Sequence, residues 1–154
     1  MSPKVVRRTV LASLFVAAFA AMPALAPAQA TATLVVQNPW IRKPPPGLDM
    51  VAVYFTVKNV SKRAVFVVGV SSPAAAHGMI HETSTVEGQS RMRMRDRVTV
   101  PGGGTVSFEP EGLHVMLGGL SKPLEVGDKV PITLELDHGG SIDFVATVRP
   151  LDAE

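Results

Sequence analysis

The chain has 154 residues, 15 Lys and Arg against 13 Asp and Glu, and no cysteine, so neither disulfides nor thiolate chemistry can serve its fold or its function. Three of the bases, Lys4, Arg7 and Arg8, lie in an N-terminal leader, and residues 31–154 carry 12 bases against 13 acids. This near-neutral balance, with few aromatics, excludes an electrostatic footprint for nucleic acid.

Residues 1–30 read as a signal peptide. Lys4, Arg7 and Arg8 precede an apolar run from Val10 to Ala26, and Pro27-Ala28-Gln29-Ala30 forms a small-residue cleavage signature. The run is alanine-rich, broken by Pro23 and followed by no stop-transfer charges, which argues against an uncleaved membrane anchor. A single Arg7-Arg8 pair in a basic n-region is weak support for twin-arginine export, so ordinary export is the default. Cleavage after Ala30 leaves residues 31–154, enough for one compact domain and too few for two.

That domain reads as all strand. After a first strand near Leu34–Gln37 and a stiff Pro44-Pro45-Pro46-Gly47 loop come Val51–Val60, Ala64–Val70, Thr105–Phe108, Ile132–Leu136 and Ile142–Val148, all β-branched or apolar and often alternating. Turn clusters at Glu87-Gly88, Pro101–Gly104, Gly118-Gly119 and His138–Gly140 separate them. Residues 78–83 and 90–97 are expected to pair as a hairpin around Glu87-Gly88. No stretch shows a helical period. Short strands at this frequency predict an all-β Greek-key sandwich or barrel. Trp40 is expected to pack at the sandwich edge and Met50, which starts a strand, in the core.

The chemistry concentrates between His81 and Met116. The spacing is His81, ten residues, Met92, twenty-one residues, His114, one residue, Met116. Thioether sulfur with neutral imidazole selects Cu(I) over hard cations and is a poor set for zinc. Residues two apart on a strand share a face, so Met79 with His81, Met92 with Met94, and His114 with Met116 form three same-face pairs, while Ile80, Arg93 and Val115 point the other way. In the hairpin the first two pairs can lie nearly opposite one another, and His114-Val115-Met116 supplies the rest from a distant strand or loop. Geometry of this kind leaves Met92 and Met94 both open as ligands. Without cysteine sulfur, a blue-copper electron-transfer centre is excluded.

Enzymatic motifs are missing: the sequence holds no G-x-S-x-G elbow, no P-loop and no H-E-x-x-H, and Glu109 and Glu111 carry nothing that marks an acid/base pair. Arg91, Arg93, Arg95 and Arg97 alternate along one strand, as a solvated edge that resists strand pairing or as a docking patch for an acidic surface. His77 reads as a surface residue close enough to be a spare ligand, and His138 as a hairpin tip.

The four-point spacing, with Ala52-Val53-Tyr54-Phe55-Thr56-Val57-Lys58-Asn59, Ser71-Ser72-Pro73, His81-Glu82-Thr83, Met92-Arg93-Met94-Arg95 and His114-Val115-Met116-Leu117-Gly118-Gly119-Leu120 around it, resembles the periplasmic copper chaperone family written PCu(A)C over about residues 35–149. The resemblance implies a cupredoxin-like β-sandwich, a periplasmic location and one Cu(I) per chain held by His81, Met92, His114 and Met116; of the two hairpin methionines it is the family spacing that chooses Met92. It also implies a carrier, not an enzyme, acting as a monomer in copper delivery for cytochrome c oxidase assembly, with the oxidase copper subunit and a Sco-type thiol protein as partners. Some members carry a His- and Met-rich C-terminal extension that binds Cu(II); this chain ends Arg149-Pro150-Leu151-Asp152-Ala153-Glu154, and no second site of that kind is expected. The alternatives to a delivery chaperone are a copper-sequestering resistance protein that keeps its metal and a metal-free β-sandwich that binds a protein partner.

Overall fold

The computed structural model describes residues 33–152, and the signal peptide expected over residues 1–30 lies outside them. Ten strands and no helix occupy the described residues: β1 (Leu34–Arg42), β2 (Met50–Asn59), β3 (Val65–Ser71), β4 (Ala75–Val86), β5 (Gln89–Met94), β6 (Val98–Val100), β7 (Thr105–Phe108), β8 (Leu113–Leu120), β9 (Lys129–Leu136) and β10 (Ser141–Arg149). Period-two alternation drives them. On β2 the side chains of Val51, Val53, Phe55, Val57 and Asn59 are buried, on β9 those of Val130, Ile132, Leu134 and Leu136, and β-branched residues on one pleated face suit a sheet packed on a core.

Hydrogen bonding runs along one path, β5-β4-β8-β2-β1-β10-β9-β3-β6, with β7 added to β2. Every pairing is antiparallel except β1 with β10. Sequence-distant strands therefore lie side by side, as Greek-key connections require. Aliphatic side chains from both arms of the path meet in a single core that includes Val53, Val67, Val115, Leu117, Ile132 and Leu134. The arms also touch directly, because Gly78 on β4 lies against the Val70 backbone carbonyl on β3, where no side chain would fit. The described residues thus form one all-β domain, as the alternation predicts.

Three local features differ from the sequence reading. β1 does not stop at Gln37: a register shift between Gln37 and Trp40, with Asn38 at φ 50°, is a bulge after which Trp40 and Ile41 resume pairing with β2. The β4–β5 hairpin forms as expected, with positive φ at Glu87 (52°) and Gly88 (75°), the requirement of a two-residue type I′ loop. Its second strand, however, ends at Met94, and Arg95–Arg97 leave the ladder after one last bond from Arg95 N–H to the Ile80 carbonyl. Met50 is not a core residue. The inward positions of β2 carry odd numbers, so Met50 points outward and is 40% exposed.

One buried polar side chain pins the far end of β2. Asn59 is fully buried; its Nδ2 donates to the carbonyls of Arg63 (2.8 Å) and Val100 (3.0 Å), and its Oδ1 accepts from the Ser61 amide (2.9 Å) and hydroxyl (2.8 Å). Every polar atom of the amide is satisfied, the condition for burying it without a large penalty.

Candidate metal centre

β4 is the middle strand of a three-strand arm, with β8 on one side and β5 on the other. Its core side is set by Ile80, and that of β8 by Val115 and Leu117, all buried. Period two then sends Met79 and His81 on β4, and His114 and Met116 on β8, to the outer face. The register aligns them: His81 pairs with His114 and Met79 with Met116 across β4–β8, while His81 pairs with Met94 and Thr83 with Met92 across β4–β5. One transverse row thus reads His114, His81, Met94. Met116 and Met79 form the next row on one side, Thr83 and Met92 the next on the other.

The imidazoles are held in place by their surroundings. His114 is only 5% exposed, and its Nδ1–H donates to the Gly112 carbonyl at 2.9 Å; that bond sets the tautomer and leaves the Nε2 lone pair available, the arrangement that metal-ligating histidines use. The His81 ring meets it edge-on at 5.9 Å between centroids, interplanar angle 90°. Nδ1 of His81 is buried without a hydrogen-bond partner. Leaving such an atom unpaired costs about 1–3 kcal/mol, a cost that a bound metal removes. Burial, reinforced by the charge of a protonated His114, lowers the His81 pKa below the ordinary histidine value and so favours the neutral, ligating form.

Aromatic packing continues the row. Tyr54 lies 6.4 Å from His114, and Trp40 packs on Tyr54 at 4.6 Å between centroids with the rings tilted by 41°. The Arg42 guanidinium sits 5.8 Å from both aromatic rings, and Arg149 lies over Trp40 at 5.4 Å. Burial raises the Tyr54 pKa against the opposing pull of Arg42, so the phenol stays protonated and serves as a wall, not as an anionic ligand. Trp40, expected at the sandwich edge, packs one ring away from the centre.

Among the described residues no three His, Cys, Asp or Glu side chains come together around a common point. Two imidazoles do, and the thioethers of Met79, Met92, Met94 and Met116 share their face, a donor set suited to a soft monovalent ion. A groove of about 420 Å³ runs along Trp40, Arg42 and Tyr54 beside the site, a shallow hollow of about 130 Å³ reaches Met79 and Met94, and a groove of about 450 Å³ lies between Pro44–Leu48 and Leu120–Glu125. Met92 and Met94 are 56% and 62% exposed. The cluster is open to a macromolecular partner.

His81, His114 and Met116, singled out from the sequence, occupy adjacent positions. Met92 lies on the same face but diagonal to His81, and Met94 is directly opposite it; the hairpin pairs overlap by one row, where near-complete opposition was expected. The supporting Tyr54 went unnoticed in the sequence, although the β2 alternation assigns it to the outer face. His138 is at the β9–β10 turn, 3.4 Å from Asp137, outside the cluster. The four-arginine strip is partly used up within the chain: Arg95 binds Glu82 through Nε at 2.7 Å, and Arg97 lies over Phe66 at 4.5 Å and 3.9 Å from Asp137.

The fold and its open histidine–thioether face define a metal-binding β-domain of the copper-chaperone type. Residues 34–148 match the family described as "Putative lipoprotein LpqE-like", and the chain belongs to this LpqE-like, PCu(A)C-type family. The "Putative lipoprotein Lxx21020" of Leifsonia xyli subsp. xyli (strain CTCB07) is 34% identical over 115 residues, 74% of this chain and 68% of the relative. Among solved structures, Cu(I)-bound DR1885 from Deinococcus radiodurans is 35% identical with a TM-score of 0.63, covering 79% of this chain and 81% of that one. The copper-bound PCuAC domain from PmoF2 is 26% identical with a TM-score of 0.66, covering 79% and 96%.

Proposed function

We propose that the protein is an exported Cu(I) carrier of the periplasm. It binds one Cu(I) through His81, Met92, His114 and Met116 and delivers it by ligand exchange to the copper centre of cytochrome c oxidase, with a Sco-type thiol protein as the companion. The observation that carries this reading is the His81 Nδ1 atom, buried and unpartnered beside a second, correctly tautomerised imidazole, on a face otherwise furnished with thioethers. The copper-bound relatives support the choice of metal.

The transfer chemistry follows from the geometry. Two imidazoles fixed by Gly112 and by core-packed strands hold one side of the ion, while the β5 thioether belongs to an exposed edge strand and is free to swing. An acceptor sulfur can approach from solvent, displace that thioether first, and draw the ion away without an intermediate of low coordination. Cu(I) keeps its oxidation state throughout. No general acid, base or nucleophile is required, in keeping with a binding protein.

The test is to load the protein with Cu(I), mix it with an oxidase copper subunit, and follow the metal by size separation. Movement of copper to the subunit supports delivery; retention with tight binding points to sequestration, and failure to bind copper to an interaction module.

A further inference from the structure

The outer face continues beyond the main centre, and the next row is unusual. His77 on β4 and Met50 on β2 are both register partners of Gly118 on β8, one from each side. Gly118 has no side chain to separate them. A Cβ built there would lie 2.5 Å from Nε2 of His77 and 3.0 Å from its Cδ2, so the imidazole already lies across β8 in the space a side chain would fill. Gly118 is buried although its neighbour across β4–β8, His77, is exposed. The strands β2 and β4 are two sheet spacings apart, about 10 Å, and the His77 ring spans the first of these; the second is within reach of a methionine. Met50 is outward and 40% exposed, and Met79, two residues from His77, shares its face.

We propose that His77, Met79 and Met50 form a second, weaker Cu(I) position above Gly118, which serves as a way station to the main centre. The proposal rests on the Cu(I) reading of that centre. One imidazole with two thioethers is again a soft donor set, and its single nitrogen ligand makes it weaker than a site with two. Between the two positions lies the Met79–Met116 pair, directly opposed across β4–β8, so an ion can exchange one thioether for the next while remaining bound. The His77 and His81 rows are two pleats apart, about 13 Å along the strand, far enough to bind independently. Met50, expected in the core from the sequence but outward on β2, becomes a ligand through the bare backbone at Gly118.

The test is a titration of the purified protein with Ag(I) as the redox-inert probe, then with Cu(I) under anaerobic reducing conditions, followed by the methyl signals of the methionines and the ring signals of the histidines. The first equivalent is expected to move Met116 and Met92 with His81 and His114. A separate, weaker step then moves Met50 and His77. Met50→Ile, His77→Ala and Gly118→Ala, the last displacing the His77 ring, should each remove the second step and change the first affinity by less than about threefold, as for sites without shared partners. A second step that leaves Met50 unmoved, or that survives both Met50→Ile and His77→Ala, overturns the proposal. Loss of the first step in these variants also overturns it, since the two positions are then one. Failure of the main centre shows differently, as a first equivalent that does not move His81 and His114.

Discussion

Replacing Met92 and Met94 separately by isoleucine tests the ligand assignment at its most exposed point. Both side chains are on the edge strand β5, 56% and 62% exposed, and isoleucine is a good strand residue, so each change should alter folding stability by no more than about 0.5 kcal/mol. Binding should separate them. Met94 is directly opposite His81, a Cβ separation of about 5 Å, and Met92 is on the diagonal, about 7–8 Å away. Both distances can be bridged by a long, unbranched side chain. A ligand bound on the diagonal places the ion above the sheet and toward the hairpin, where it is accessible to an acceptor. Met92→Ile is expected to weaken Cu(I) binding at least about tenfold, or about 1.4 kcal/mol, and to remove one sulfur scatterer from the X-ray absorption spectrum. Met94→Ile should change affinity only a few-fold. Competition against a chromophoric Cu(I) chelator measures both. If Met94→Ile is the more damaging, the directly opposed residue is the ligand and the assignment of Met92 is wrong.

Other consequences are equally open to measurement. Because burial lowers the His81 pKa, the unfolded chain binds more protons than the folded one below the ordinary histidine value near 6.5. Stability of the metal-free protein is therefore full above that value and declines as pH falls toward the lowered folded pKa, and His81→Gln should flatten this part of a denaturation-versus-pH curve. Gly78→Ala drives a Cβ into the Val70 carbonyl, backbone against backbone, and should cost about 2–3 kcal/mol in denaturant unfolding; an unchanged midpoint would refute the close β3–β4 contact. Asn59→Ala abolishes four hydrogen bonds, one of them to the buried Val100 carbonyl, an expected loss of about 1–3 kcal/mol.

Much of this architecture is legible in the chain because alternation reports which side of a strand faces the core. Thr105–Phe108 coincides with β7, and the strand readings over residues 51–60, 132–136 and 142–148 fall on β2, β9 and β10 within a few residues. The parity that sends Met79, His81, Met92, Met94, His114 and Met116 to one face follows from the same alternation. Parity says nothing of which row meets which, and the offset that places Met94, not Met92, across from His81 depends on the two-residue turn at Glu87-Gly88 and on where pairing begins. Asn38-Pro39 looks like the end of a strand because a bulge and a turn draw on the same residues. The pairings of β2 with β8 and of β1 with β10 join segments more than 60 residues apart, and no local pattern encodes them.

The central claim is tested most directly by titrating residues 31–154 with Cu(I) under anaerobic, reducing conditions against a chelator of known affinity, with X-ray absorption of the singly loaded form. The account predicts one tight equivalent with two nitrogen and two sulfur scatterers, weakened by His81→Ala and by His114→Ala. Tighter binding of Cu(II) than of Cu(I), or a first equivalent indifferent to both histidine substitutions, would contradict it.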